Sequence, residues 1–157
     1  MARLERRRTT PKNVETESAP LRVLVVEDDP AYRAYVVRLT QRLGFVADEA
    51  ADGGEALEKL AQATYEVAII DQQMPRVTGL DVITHIRADP STRTLVAVML
   101  TARDDVETKL TALEAGFDDF LTKGATEAEL SAKRKKSRGY ASSHNTRWDG
   151  FSLRTDK

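Results

Sequence analysis

Four short aliphatic runs in this chain each end in a polar residue. Leu21-Arg22-Val23-Leu24-Val25-Val26 leads into Glu27-Asp28-Asp29, and Val67-Ala68-Ile69-Ile70 leads into Asp71. Leu95 to Leu100 leads into Thr101, and Phe120-Leu121-Thr122 into Lys123. Near-continuous aliphatic runs of this length suit strands buried on both faces of a parallel sheet. A fifth strand is expected over Phe45 to Ala50. Between the strands the apolar period changes to that of a helix. Tyr32, Tyr35, Val36, Leu39 and Leu43 mark the first, with Asp29 as N-cap, Pro30 in the first turn and Gly44 as stop. Ala56, Leu57 and Leu60 mark the second, after the Asp52-Gly53-Gly54 turn. Leu80, Ile83 and Ile86 mark a third that ends before Asp89-Pro90. Val106, Leu110 and Leu113 mark a fourth, capped by Asp104 or Asp105 and closed by Gly116. A fifth is expected to start near Thr126, with Glu129 completing a capping box.

Alternation of strand and helix implies right-handed crossovers and a sheet covered on both faces. In such a sheet the carboxyl ends of the strands share one edge, and ligands bind in the crevice outside it. The polar ends of the four runs therefore converge. Three carboxylates, a hydroxyl and an ammonium in one crevice make a divalent-cation and phosphoryl site.

Composition narrows this little. The 157 residues allow one domain plus tails, and a net charge of -1 gives no global attraction to nucleic acid or membrane. The absence of cysteine excludes disulfides and thiolate metal sites and fits a reducing cytosol, so the expected location is cytoplasmic. No apolar stretch reaches the ~20 residues of a membrane span. Residues 1–20 read as a disordered tail, 21–132 as the folded domain, and 133–157 as a basic, irregular tail carrying Lys133, Arg134, Lys135, Lys136 and Arg138.

Linked motifs run through the domain. They are Val25-Val26-Glu27-Asp28-Asp29-Pro30, Asp71-Gln72-Gln73-Met74-Pro75 with Gly79-Leu80, Leu100-Thr101-Ala102, and Gly116 through Lys123. Singly each is weak; in this order, at strand ends, they resemble the receiver domain of two-component response regulators. The resemblance implies a flavodoxin-like α/β fold, doubly wound, with a five-stranded parallel sheet in order 2-1-3-4-5 and helices on both faces. It implies that Asp71 is the phospho-accepting aspartate and that Glu27 and Asp28 are the acidic pair. Thr101 and Lys123 would be the site hydroxyl and lysine, and Phe120 the switching aromatic. The sequence departs from the family in two places. Gly124 stands where the family usually has proline after the lysine, and the aliphatic positions of the fifth helix are largely missing after Leu130.

The chemistry asks for these residue types. A carboxylate can serve as nucleophile, and the charge on the transferred group must be compensated. Mg²⁺ (or Mn²⁺) takes about six oxygens. Asp28 and Asp71 would supply two, the backbone carbonyl of Gln73 a third, and Glu27 would act through a metal-bound water. Lys123 would pair with one phosphoryl oxygen, while Thr101 would donate to another. Taken alone, each residue has an ordinary reading. Asp28 and Asp29 can be caps, Glu27 a solvated turn carboxylate, Asp71 a turn residue, Thr101 a cap of the fourth helix, Lys123 a surface lysine and Phe120 a packed aromatic. Asp52, Asp104, Asp105, Asp118 and Asp119 are assigned to turns and caps.

The expected partner is a sensor histidine kinase or histidine phosphotransfer protein, with a downstream effector that the sequence does not name. The protein is expected to catalyse only its own phosphorylation and dephosphorylation. A nucleic-acid-binding regulator using the basic run with Tyr140 and Trp148 is the alternative. A metal-dependent phosphatase ranks below both, because Gln73 cannot act as an acid. A fifth helix poor in aliphatic residues would leave apolar surface open and favour self-association as a homodimer.

Overall fold

The computed structural model describes residues 19–124. It contains five strands and four helices in strict alternation. These are β1 (Arg22–Val26), α1 (Pro30–Arg42), β2 (Val46–Ala50), α2 (Gly53–Gln62), β3 (Val67–Asp71), α3 (Gly79–Ala88), β4 (Val96–Thr101), α4 (Val106–Ala115) and β5 (Asp119–Thr122). All pairings are parallel and the strand order is β2-β1-β3-β4-β5, the doubly wound arrangement expected. The expected fifth helix, both tails and the basic run lie outside the described residues.

The three central strands are buried on both faces, which is why β3 and β4 read as unbroken apolar runs. Odd and even positions part into two cores. Val23, Val25, Val67, Ile69, Val96, Val98, Leu100 and Leu121 pack with Val36, Leu39 and Leu43 of α1. Leu24, Val26, Ala68, Ile70, Ala97 and Met99 pack with Ala56 and Leu60 of α2, the α3 residues Val82, Ile83 and Ile86, and Ala112 of α4. The edge strand β2 buries only Ala50 fully and carries Asp48 and Glu49, charges that discourage further strand pairing.

Helix starts follow the local chemistry. Asp29, Asp52 and Asp105 each cap a helix through backbone N–H groups, and Thr78 with Asp81 forms a capping box on α3. Asp104 is not a cap; it pairs with Lys109 at 2.6 Å. Asp118 lies in the α4–β5 turn, as expected, whereas Asp119 departs from the turn-and-cap assignment. Asp118 accepts from Ala97 N and from Arg87, bracing the α4–β5 turn against β4, and Asp119 is a buried residue of β5.

The apolar residues that mark α4 do not face the core. Val106, Leu110 and Leu113 are 70%, 53% and 38% exposed, whereas Thr108 and Ala112 face the core. Tyr35 of α1, which also follows the apolar period, is 41% exposed. Apolar spacing fixes the helical period in both cases but not which residues turn to the core.

Candidate functional site

Register assembles the site. Val26 pairs with Ile70, Ile70 with Met99 and Met99 with Phe120. One residue further along, Glu27 and Asp71 share a row with Leu100 and Leu121. Another step brings Asp28, Gln72, Thr101 and Thr122 level, and Lys123 follows. The strand ends therefore deliver every expected side chain to one sheet edge, without help from distant loops.

Carboxylate oxygens of Glu27, Asp28 and Asp71 all lie within 4.8 Å of one another. Glu27 and Asp71 are buried, with Asp28 exposed above them. The reading of Glu27 as a solvated turn carboxylate is thus wrong: its side chain has no exposed surface. Its Oε1 accepts from Asp29 N at 3.1 Å, and its carbonyl accepts from Arg33 Nη1 at 2.9 Å. Asp71 Oδ1 accepts from Gln73 N at 3.3 Å. The second oxygens, Glu27 Oε2 and Asp71 Oδ2, are buried with no aligned hydrogen-bond donor. The Lys123 ammonium lies 3.1 Å from the first and 3.3 Å from the second.

Three carboxylates against one ammonium leave the cluster anionic. Burial dominates the electrostatics. It pushes Glu27 up to about 7, helped by Asp71 and opposed by the Asp29 N–H and Lys123. It raises Asp71 as well, against the pull of Lys123 and the Gln73 N–H. For Lys123 burial pulls downward, but Glu27 and Asp71 outweigh it and the ammonium is held above its ordinary value. Buried carboxylate oxygens without donors, facing an exposed third carboxylate, are what a hard divalent cation requires of its ligands. The donor set fits Mg²⁺.

The backbone near Asp71 is tightly set. Gln72 N donates to Leu100 O at 2.9 Å and Gly79 N donates to Gln72 O at 3.2 Å. A Cβ on Gly79 would stand 2.4 Å from the Asp71 carbonyl oxygen, so only glycine lets α3 begin here. Thr101 ends β4 and is buried. It does not cap α4, a role Asp105 fills. Its hydroxyl donates to Gln72 Oε1 at 2.9 Å and accepts from Arg103 N at 3.0 Å. Phe120, half-buried in β5, lies under the Lys109 ammonium, 4.5 Å from the ring centroid.

Two participants escaped the sequence reading. Tyr32, read only as a marker of the first helix, accepts from Gly124 N at 3.1 Å, and the Lys123 ammonium stands 5.3 Å from its ring centroid. Lys123 N also donates to Thr101 O at 2.7 Å. The loop without proline is therefore held by a hydrogen bond that proline could not make. Gln72 carried no signal beyond its place next to Asp71.

Residues 23–135 match the family described as response regulator receiver domain. The response regulator MprA of Mycolicibacterium vanbaalenii is 37% identical over 116 residues, covering 74% of this chain and 49% of that protein. The chain thus spans about half the length of the curated relative it matches. Among solved structures, chemotaxis protein CheY4 of Vibrio cholerae superposes with a TM-score of 0.70 at 30% identity, covering 74% of this chain and 98% of CheY4. The receiver domain of the sensor histidine kinase PA1611 from Pseudomonas aeruginosa PAO1 superposes at 0.66 and 28% identity, covering 71% and 92%. That domain holds a magnesium ion in its active site cleft. Strand order, the acidic crevice and the family match over residues 23–135 agree, and this chain belongs to the receiver domains of two-component response regulators.

Proposed function

We propose that Asp71 accepts a phosphoryl group from a phosphohistidine on a sensor histidine kinase or phosphotransfer protein. A carboxylate oxygen of Asp71 forms the new O–P bond. The P–N bond to the donor imidazole breaks, and its electron pair stays on the ring nitrogen. Glu27, Asp28, Asp71 and the Gln73 carbonyl would hold Mg²⁺ or Mn²⁺, Glu27 through a water. The cation supplies charge compensation to the transferred group and orients its oxygens.

The chain's own residues do the rest. Lys123 is already placed beside Asp71 Oδ2 and can follow the charge onto a phosphoryl oxygen. Thr101 donates its hydroxyl proton to another. Drawing Thr101 toward the phosphoryl group frees space for Phe120 to turn inward, which changes the surface it shares with Lys109 of α4. The exposed stripe Val106, Leu110 and Leu113 is then the face on which the change is read by a partner. Phosphorylation biases a two-state equilibrium in this scheme and builds no new fold. The observation that carries the reading is the cluster itself: three carboxylates within 4.8 Å, two of them buried with an undonated oxygen each, around a single ammonium.

Incubation with acetyl phosphate and Mg²⁺, followed by intact mass, tests it. The expected result is one added phosphoryl group on the wild type, none on Asp71→Asn, and none when EDTA replaces Mg²⁺. Equal labelling of Asp71→Asn would refute the assignment of the nucleophile.

A further inference from the structure

The Thr101 hydroxyl proton is committed before any phosphoryl group arrives. A hydroxyl has one proton to give. Oγ1 accepts from Arg103 N at 3.0 Å and gives its proton to Gln72 Oε1 at 2.9 Å. The Gln72 amide oxygen, not its nitrogen, faces Thr101. The Gln72 backbone is pinned on both sides, through N to Leu100 O and through O to Gly79 N. Register sets Gln72 level with Thr101, one step beyond the row of Glu27 and Asp71.

Donating to a phosphoryl group on Asp71 requires Thr101 to release Gln72. We infer that Gln72 is a latch on Thr101, a positioning residue that holds the hydroxyl in its resting arrangement and sets the threshold for switching. The inference rests on the phosphoryl-acceptor reading of Asp71. Breaking the latch restores the Gln72 carbonyl to water, because that side chain is only half-buried. The resting state is therefore favoured by one net hydrogen bond. Removing it lowers the concentration of phosphoryl group or mimic needed for half-switching by about 2- to 12-fold.

Gln72→Met keeps length and flexibility but offers only a weak acceptor. The full chain is titrated with beryllofluoride, a phosphoryl mimic, in saturating Mg²⁺, and amide resonances are followed to the midpoint. The same titration is run on Thr101→Val and on the double variant. The expected result is a midpoint about 2- to 12-fold lower in Gln72→Met than in wild type, and no difference between Thr101→Val and Gln72→Met/Thr101→Val. A midpoint unchanged or raised in Gln72→Met overturns the latch, as does a shift of the same size when Val occupies position 101. Loss of folding in both Gln72→Met and Gln72→Leu would also overturn it, by assigning Gln72 to the fold. A wild type that binds beryllofluoride while Gln72→Met shifts nothing refutes the latch alone. A wild type that binds none refutes the acceptor role of Asp71, and the latch with it.

Discussion

Glu27→Gln is expected to stabilise the metal-free protein at pH 8 and to leave it unchanged near pH 5. The Glu27 carboxyl has no exposed side-chain surface, and burial raises it from 4.5 to about 7. A gap of about 2.5 pH units corresponds to about 3 kcal/mol. Between those values the folded protein binds a proton that the unfolded chain has released. Stability from this group is therefore greatest below about pH 4.5 and falls as pH rises toward 7, the reverse of a salt-bridged carboxylate. Asp71, raised by the same cause, acts in the same direction. Asp48, Asp81, Asp89 and Asp105 are held below their ordinary value by hydrogen bonds, so their contributions are lost only as pH falls below about 4, outside this window. Glutamine removes the buried charge but leaves Lys123 ion-paired with Asp71 alone, 3.3 Å away, with Asp28 in the same crevice. The net gain at pH 8 is therefore about 1–2 kcal/mol, less than the full titration energy. Urea unfolding in EDTA at pH 5, 6, 7 and 8 measures it. The wild type should lose stability across the series, and Glu27→Gln should lose less. A variant less stable than wild type at pH 8, or one with the same pH slope, would refute the claim that Glu27 is held in the fold at an energetic cost.

Three other substitutions probe the frame around the site. Gly79→Ala drives a Cβ into the Asp71 carbonyl, a backbone contact of 2.4 Å that no rotamer relieves; a loss of about 2–4 kcal/mol in urea unfolding is expected, and a loss under 1 kcal/mol would contradict the close approach. Arg87 donates to the carbonyls of Arg93, Leu95 and Gly116 and to Asp118, so Arg87→Met should cost about 2–4 kcal/mol, read as a lowered urea midpoint with unchanged slope. Tyr32→Phe removes the acceptor for Gly124 N but keeps the ring under Lys123; it should lower the unfolding free energy by no more than about 1.5 kcal/mol and speed hydrogen exchange at the Gly124 amide several-fold. Unchanged exchange at that amide would show that the bond does not hold the loop.

Why some of this was legible in the sequence and some was not has a physical answer. Strands buried on both faces must be apolar throughout, so β1, β3 and β4 stood out as runs, and parallel register then fixed which residues meet at the sheet edge. Glu27, Asp71, Thr101 and Lys123 come together because each is the residue at or just past the end of a strand, a position that a sequence records directly. Helix faces are another matter. Period reveals a helix but not its rotation, and α4 carries two candidate faces: Val106-Leu110-Leu113, which is long and apolar, and Thr108-Ala112, which is short. The sheet took the short one and left the long one to solvent. Such a choice depends on how closely α4 approaches the strands, which is a property of the assembled layers.

Side-chain partners across elements were less legible still. Gln72 and Tyr32 act through residues 29 and 92 positions away, Thr101 and Gly124, and neither pair has a spacing rule. Their meaning appears only once the register puts Gln72 level with Thr101 and the end of β5 returns beside α1. The Gly124 departure shows the limit most clearly. As sequence it read only as a missing proline and a loosened loop. In the fold it supplies an N–H that proline lacks, in a backbone conformation (φ +98) that favours glycine, and a tyrosine one turn into α1 receives it. A substitution that removes one constraint can supply the donor for another, and composition at a single position does not tell the two apart.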